Sequence, residues 1–239
     1  MARAQRKQFI DMPFNPDTQD LYLVRRSIQQ ALATALPKFH GTFLDVGCGI
    51  QPYRAMIMGA PARVERYIGM DFKVDDEAKY KAAKPDIIWD GLHIPLPDAS
   101  VDCAMATEVL EHCPDPQAVL REIARVLRPD GHVLITVPFL WPLHDMPYDE
   151  HRYTPEAMKR MLRATGFSDD MVRATGGWDA SLGQMIGLWV MRRPMPDALR
   201  NVLKYISYPV VRYLVKRDKV PADLDWLMIT SLWAIARKN

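Results

Sequence analysis

The chain is predicted to fold as one α/β domain on a mostly parallel seven-stranded sheet, with helices on both faces and a helical insertion before the last strand. Short apolar runs alternate with helical stretches, the pattern of βαβ units that bind ligands at the carboxyl ends of their strands. The first run ends in a glycine turn, Leu44-Asp45-Val46-Gly47-Cys48-Gly49, and the second, Tyr67-Ile68-Gly69-Met70, ends in Asp71. With 239 residues, 49% of them hydrophobic and 25% charged, there is material for one buried domain and an elaboration, and disorder is excluded.

Leu21, Val24, Ile28, Leu32 and Leu36 recur at helical spacing, so a helix is expected over Leu21–Leu36, with Pro37 beyond its end. Strands are expected at Thr42–Val46, Arg66–Met70, Asp86–Trp89, Val101–Ala106 and His132–Val137, and helices at Tyr53–Met58, Pro116–Leu127 and Pro155–Thr165. Val119, Leu120, Ile123, Val126 and Leu127 form one helix face, and Arg128-Pro129-Asp130-Gly131 supplies a stop and a turn. Thr154 and Pro155 are an N-cap and first-turn pair. Val172–Gly176 and Trp226–Ala236 read as the last two strands, which divides the chain into an amino-terminal helical segment (1–40), a core (41–180), a basic helical insertion (181–222) and a last strand (223–239).

Gly47 and Gly49 let backbone approach a ligand where a side chain would collide. Asp71 follows Gly49 by 22 positions, about where a dinucleotide-type site places a carboxylate for ribose hydroxyls. A nicotinamide site would want a third glycine, and Pro52 stands there instead.

Asp45-x-Gly47-x-Gly49, Asp71, Asp90-Gly91 and Arg125-Val126-Leu127-Arg128-Pro129-Asp130-Gly131-His132 together resemble the S-adenosylmethionine-dependent methyltransferases of the Rossmann-like class, from about Thr42 to Phe167. The resemblance implies S-adenosylmethionine as cofactor and S-adenosylhomocysteine as product. It places Asp71 and the following Phe72 at the ribose, Asp90, Gly91 and Leu92 at the adenine, Asp45 beside the glycine loop, and Glu108 over the methionine moiety. A non-catalytic cofactor-binding subunit, docked to a membrane or a partner protein, would use the same glycines and Asp71.

Methyl transfer to a hydroxyl needs an aligned nucleophile and a proton acceptor. The polar, proline-rich segment Trp141–Thr154 is expected as a loop over the cofactor pocket. Within it His144 is the first candidate base and His151 the second. Asp149 is placed to orient either ring, and Tyr148 and Arg152 to bind the acceptor; Arg152 could instead brace the loop by pairing with Asp149. The spacing His144-x-x-Pro147-Tyr148-Asp149-x-x-Arg152-Tyr153-Thr154 is similar to bacterial methyltransferases of sugar and cell-surface glycan pathways. That similarity implies a glycan or related acceptor; with the candidate base and the basic insertion, the expected acceptor is a small molecule, glycan or lipid-linked metabolite methylated at oxygen. No spacing of Asp and His stands out as a metal-ligand set.

From Arg192 to Lys219 eight basic residues face two acids, and Leu199, Val202, Leu203, Ile206, Val210 and Leu214 recur at helical spacing, with a kink expected at Pro209. Such a segment suits peripheral contact with an anionic membrane surface, or packing on the sheet or on a second copy in a homodimer. The net charge of +2 and the lack of interleaved aromatic and basic residues argue against nucleic acid. Cys48, Cys103 and Cys113 show no paired spacing, the start of the chain is not a secretory signal, and no run nears about 18 apolar residues. A cytoplasmic protein, peripheral at most at the inner membrane face, is expected.

Overall fold

Strands β1 (His40–Val46), β2 (Arg63–Phe72), β3 (Ile87–Trp89), β4 (Val101–Thr107), β5 (Leu127–Pro138), β6 (Val172–Thr175) and β7 (Ser231–Arg237) form one sheet in the order β3-β2-β1-β4-β5-β7-β6. The computed structural model describes residues 8–72, 84–221 and 225–239; the basic start at 1–7 and the insertion's end at 222–224 lie outside them. The pairs from β3 through β5 are parallel, and β7 runs antiparallel to both β5 and β6. The chain moves outward from β1 to β3, then crosses back to β4 beside β1. Strand order therefore reverses at β1, and a crevice opens at its carboxyl end.

Alternation along the strands divides the core between the two faces. Leu44, Ala104 and Ile135 pack with Val119, Leu120, Ile123 and Val126 of α3, which follows α1 (Tyr22–Ala35) and α2 (Arg54–Ile57) and spans Pro116–Val126. Their neighbours Phe43, Cys103 and Leu134 point the other way, against Ile28, Leu32 and Ala35 of α1. Helix α4 (Pro155–Ala164) starts as its sequence demands, with Thr154 Oγ1 accepting from the Ala157 amide, and Asp115 caps α3 through Ala118 in the same manner.

Four strands, β1, β2, β5 and β7, begin away from their expected starts. β1 and β2 begin at His40 and Arg63, which pair although their side chains are exposed, because backbone hydrogen bonding needs no apolar side chain. Leu127 leaves α3 to pair with Val101, and Arg128–Gly131 loops out as a bulge, with Asp130 left-handed at φ 64°, before His132 meets Cys103. β7 starts at Ser231, opposite Pro138, whereas Trp226 stands 87% exposed at φ 59°.

The insertion forms two helices, α5 (Trp178–Arg192) and α6 (Asp197–Arg217). α6 runs on past Pro209, and the expected apolar face is not its packing face: Leu199, Val202, Ile206 and Val210 are exposed, and Val211 and Val215 are buried. The reason is what the helix packs on. Gly183 of α5 lies under Val215, and the amino-terminal arm extends the same packed face through the Lys204–Asp17 ion pair, Ser207 on Gln19 Oε1 and Tyr208 on the Phe14 carbonyl. Among the described residues no helix is long and apolar enough to cross a membrane.

Arg125 fastens the loop after β3 to α3. It donates to both oxygens of Glu122, to the Ile94 and Leu96 carbonyls and to Asp98, while Glu122 accepts from the Ile94 amide. The guanidinium pulls Glu122 down to about 2. Arg125→Ala should lose about 2 kcal/mol in denaturant unfolding, as charged hydrogen bonds of this burial do. Because the folded pKa of Glu122 is depressed, its contribution is present above the ordinary glutamate range and fades as pH falls toward about 2. The wild-type advantage over Arg125→Ala should shrink over that interval; an advantage unchanged at pH 3 would contradict the ion pair's role.

Candidate active site

The glycine turn occupies the crevice at the end of β1. Gly47 and Gly49 are left-handed, at φ 67° and 50°; a Cβ on Gly47 would lie 2.4 Å from Val109, whereas the space over Gly49 is open. Asp71 crosses from the end of β2, accepting the Gly49 amide at 2.5 Å on one oxygen and the Phe72 amide at 2.7 Å on the other. Below the turn Asp45 is buried. Its Oδ2 accepts from the Tyr67 hydroxyl, and its Oδ1 has no partner among the described residues. Burial pushes Asp45 up to about 7, against the Tyr67 hydrogen bond and with help from the Asp71 carboxylate.

Asp45, Gly47 and Gly49 line a cavity of about 410 Å³, closed by Phe9, Arg25, Tyr53, Thr107 and Glu108, with Asp71 behind the glycine turn and not in the lining. Glu108 follows β4 in a left-handed conformation, φ 54°, with Oε1 accepting from Thr136 at 2.7 Å. Burial raises its pKa, opposed by that hydrogen bond and by the charge of Arg25. Arg25 lies over the Phe9 ring, 4.4 Å from its centroid, with its Nε buried and unpartnered among the described residues. A larger groove of about 1150 Å³ lies at the β6 and β7 edge, lined by Arg26, Lys159 and Arg163, and shares no residue with the glycine turn.

Asp71 and Phe72 pair with Ile88 and Trp89 across β2 and β3, which puts them beside Asp90, Gly91 and Leu92 at one rim. A Cβ on Gly91 would lie 2.6 Å from the Phe72 ring, so glycine is needed there. Asp90 Oδ1 accepts from the Leu92 and His93 amides, which lower its pKa, and the Leu92 side chain is exposed. Asp90 thus builds the turn itself.

On the other side of Glu108, the short helical turn Leu110–His112 meets the Trp141–Thr154 loop, which is irregular as expected. The Glu150 and His151 amides both donate to the Glu111 carbonyl, and the Tyr153 hydroxyl to the Leu110 carbonyl at 2.8 Å. His144 Nδ1 lies 3.1 Å from Asp149 Oδ2, and Arg152 grips Asp149 at 2.6 and 2.9 Å. That guanidinium, ahead of the His144 amide, holds Asp149 well below the usual carboxylate range. Arg152 also donates to the His151 and Trp141 carbonyls, so it braces the loop, the second of its two expected roles. The Tyr148 side chain is exposed; its carbonyl faces His112 Nδ1 at 3.3 Å. His151 turns inward beside Tyr153. His112 and His144 stand edge to face, with ring centroids 4.8 Å apart.

A methyltransferase-domain family model matches residues 44–135, from β1 to β5, and so spans the glycine turn, Asp71, Asp90 and Glu108. The chain carries an S-adenosylmethionine-dependent, Rossmann-like methyltransferase domain. A protein of Mycolicibacterium smegmatis described as "Probable S-adenosylmethionine-dependent methyltransferase" is 40% identical over 98 residues, 40% of this chain and 37% of that protein. The 27-O-demethylrifamycin SV methyltransferase of Amycolatopsis mediterranei is 35% identical over 112 residues, 44% of this chain and 41% of its own length. The chain thus spans about two fifths of these relatives. A methyltransferase solved in complex with the Haloferax volcanii Trm112 methyltransferase activator has the same fold, with a TM-score of 0.59 and 20% identity over 93% of this chain and 94% of that one.

The methyltransferase cavity fits the amino-acid end of its cofactor. One guanidinium complements an α-carboxylate, and the Asp45 and Glu108 carboxyls complement an ammonium and a sulfonium. Arg25 and Tyr53 were not singled out from sequence. Arg25 sits beside Val24 and Ile28, on the buried edge of an amphipathic helix, and that misplaced charge was the available signal.

Two outcomes follow for S-adenosylhomocysteine binding by calorimetry. Asp71→Ala should weaken it by about 10–100-fold, the range of charged hydrogen bonds. Burial raises the Asp45 pKa to about 7 in the free protein, and a bound ammonium favours its carboxylate. Affinity should therefore rise from pH 6 to 8 in the wild type and less in Asp45→Asn; equal slopes would remove Asp45 from the site.

Proposed function

We propose that this protein transfers a methyl group from S-adenosylmethionine to a hydroxyl oxygen of a small-molecule, glycan or lipid-linked acceptor. The observation that carries the acceptor side is the Arg152–Asp149–His144 chain beside Glu108. A neutral imidazole whose Nδ1–H faces a carboxylate presents its Nε2 lone pair outward. His144 is then positioned to take the hydroxyl proton while the oxygen attacks the methyl carbon in line and the carbon–sulfur bond breaks, leaving S-adenosylhomocysteine. Asp149 is a positioning residue in this scheme, and His151, turned toward Tyr153, is the weaker candidate base. Oxygen as acceptor atom is in keeping with the name of the Amycolatopsis relative. The exposed apolar residues of α6 favour acceptors presented with a lipid.

The test is transfer of label from methyl-labelled S-adenosylmethionine into an extract, with organic and aqueous phases counted apart. His144→Ala should lower transfer by about 10²–10⁴-fold, the usual weight of a general base, with S-adenosylhomocysteine affinity unchanged. Full transfer by His144→Ala would remove the histidine from the chemistry. Label confined to the aqueous phase would rule out the lipid-linked acceptor.

A further inference from the structure

Glu111, His112 and His144 come from two segments, the turn after β4 and the loop after β5, yet one ligand atom of each lies within 4.8 Å of the others. What surrounds these atoms is unusual for a protein interior. The Glu111 carboxyl is fully buried, and among the described residues neither of its oxygens meets a hydrogen-bond donor. Its nearest positive candidate is His112 Nε2, 3.8 Å from Oε1. The two imidazoles each set Nδ1 against an acceptor. His112 Nδ1 faces the Tyr148 carbonyl, which only accepts, and His144 Nδ1 faces the Asp149 carboxylate, which Arg152 keeps ionised. A proton on each Nδ1 would satisfy these acceptors and leave Nε2 as the free lone pair of each ring.

Two imidazoles and a buried carboxyl thus converge, and the carboxyl oxygens have no hydrogen-bond partner among the described residues. An isolated buried carboxylate is costly, and such a group is ordinarily paired or bound to a metal. Burial, with the Glu108 carboxyl adding to it, pushes the Glu111 pKa well above the usual range. One cation would satisfy all three atoms at once. Two imidazoles and a carboxylate are the N,N,O set of divalent transition ions such as Zn²⁺, with bonds of about 2.0–2.2 Å and positions left open for an oxygen ligand. The hydrogen bonds from Nδ1 to Asp149 and to a backbone carbonyl are the outer partners that ligating histidines usually have.

We propose that Glu111, His112 and His144 bind one divalent transition-metal ion, and that this ion holds the acceptor oxygen. The binding site stands on the geometry alone; its use rests on the methyl-transfer function above and alters one step of it. With the ion bound, the His144 lone pair goes to the metal, and the acceptor hydroxyl loses its proton to solvent under the ion's charge instead of to the imidazole.

The experiment is titration of the chelator-treated full chain with Co²⁺, followed by visible absorption, and with Zn²⁺ by calorimetry and thermal unfolding. S-adenosylhomocysteine binding is measured on the same samples. One ion per chain is expected, with a rise in Tm and cobalt bands that Zn²⁺ abolishes. His112→Ala and His144→Ala should remove the bands while still binding S-adenosylhomocysteine. Asp149→Asn should weaken the ion by about 10–100-fold, the effect of losing an outer partner. Glu111→Gln should be more stable than the wild type without metal, since it removes a buried unpaired carboxyl, and should gain no Tm from Zn²⁺. No ion in the wild type, or an ion retained with unchanged affinity in the His112→Ala, His144→Ala double variant, overturns the proposal. Loss of S-adenosylhomocysteine binding in the wild type would count against the methyl-transfer function and leave the ion site standing. Methyl transfer undiminished in the chelated protein would overturn the ion's role in holding the acceptor.

Discussion

Parallel pairing of β1 with β2 on one side and β4 on the other is the constraint from which the site follows. Val46 lies opposite both Met70 and Ala106, so the three strands end at nearly the same level. Whatever follows those ends must share one crevice: the glycine turn after β1, Asp71 at the end of β2 and Glu108 after β4. The Asp71 carboxylate then ties the turn to β2 through the Gly49 amide. Hydrogen bonding of the sheet interior sets this alignment, and the apolar layers on both faces keep it rigid. A one-residue slip of β2 would turn Asp71 toward the opposite face and Met70 toward the turn.

Charge is distributed unevenly across the crevice. At the cofactor end one guanidinium, Arg25, shares the cavity with the Asp45 and Glu108 carboxyls, both raised by burial. A zwitterion with an adjoining sulfonium restores the balance there. At the acceptor end Arg152 is spent on Asp149, the two histidine Nδ1 atoms face acceptors, and the Glu111 oxygens have no partner among the described residues. Glu108 stands between the halves, bonded to Thr136 and close enough to Glu111 to raise its pKa. The molecule thus presents two neighbouring sites rich in carboxyl groups and lone pairs, which on our proposals take an organic cation at one and a metal ion at the other.

Much of this was legible in the sequence, and the rest was hidden for identifiable reasons. The strands and α3 were readable because burial on both faces leaves continuous apolar runs. Asp45, Gly47, Gly49 and Asp71 were readable because a turn at a strand end fixes them by spacing. Arg25 was not, since its neighbour across the cavity, Glu108, is more than eighty residues away. The histidine cluster is half visible: His144 and Asp149 share a loop, but no spacing ties them to Glu111 and His112, which only the loop folding back onto the Glu111 carbonyl brings close. The orientation of α6 failed for a related cause. Its spacing shows an apolar stripe, but the arm around Asp17–Gln19, which decides the side that packs, carries no periodic signal.

A crystal structure of the full chain with S-adenosylhomocysteine tests the central claim most directly. The ligand's amino-acid end should lie between the glycine turn and Arg25, its ribose on Asp71, and its sulfur toward the Glu108 side of the cavity, facing His144. A ligand seated in the larger groove beside Arg26 and Lys159, or one whose ribose leaves Asp71 untouched, would contradict the account.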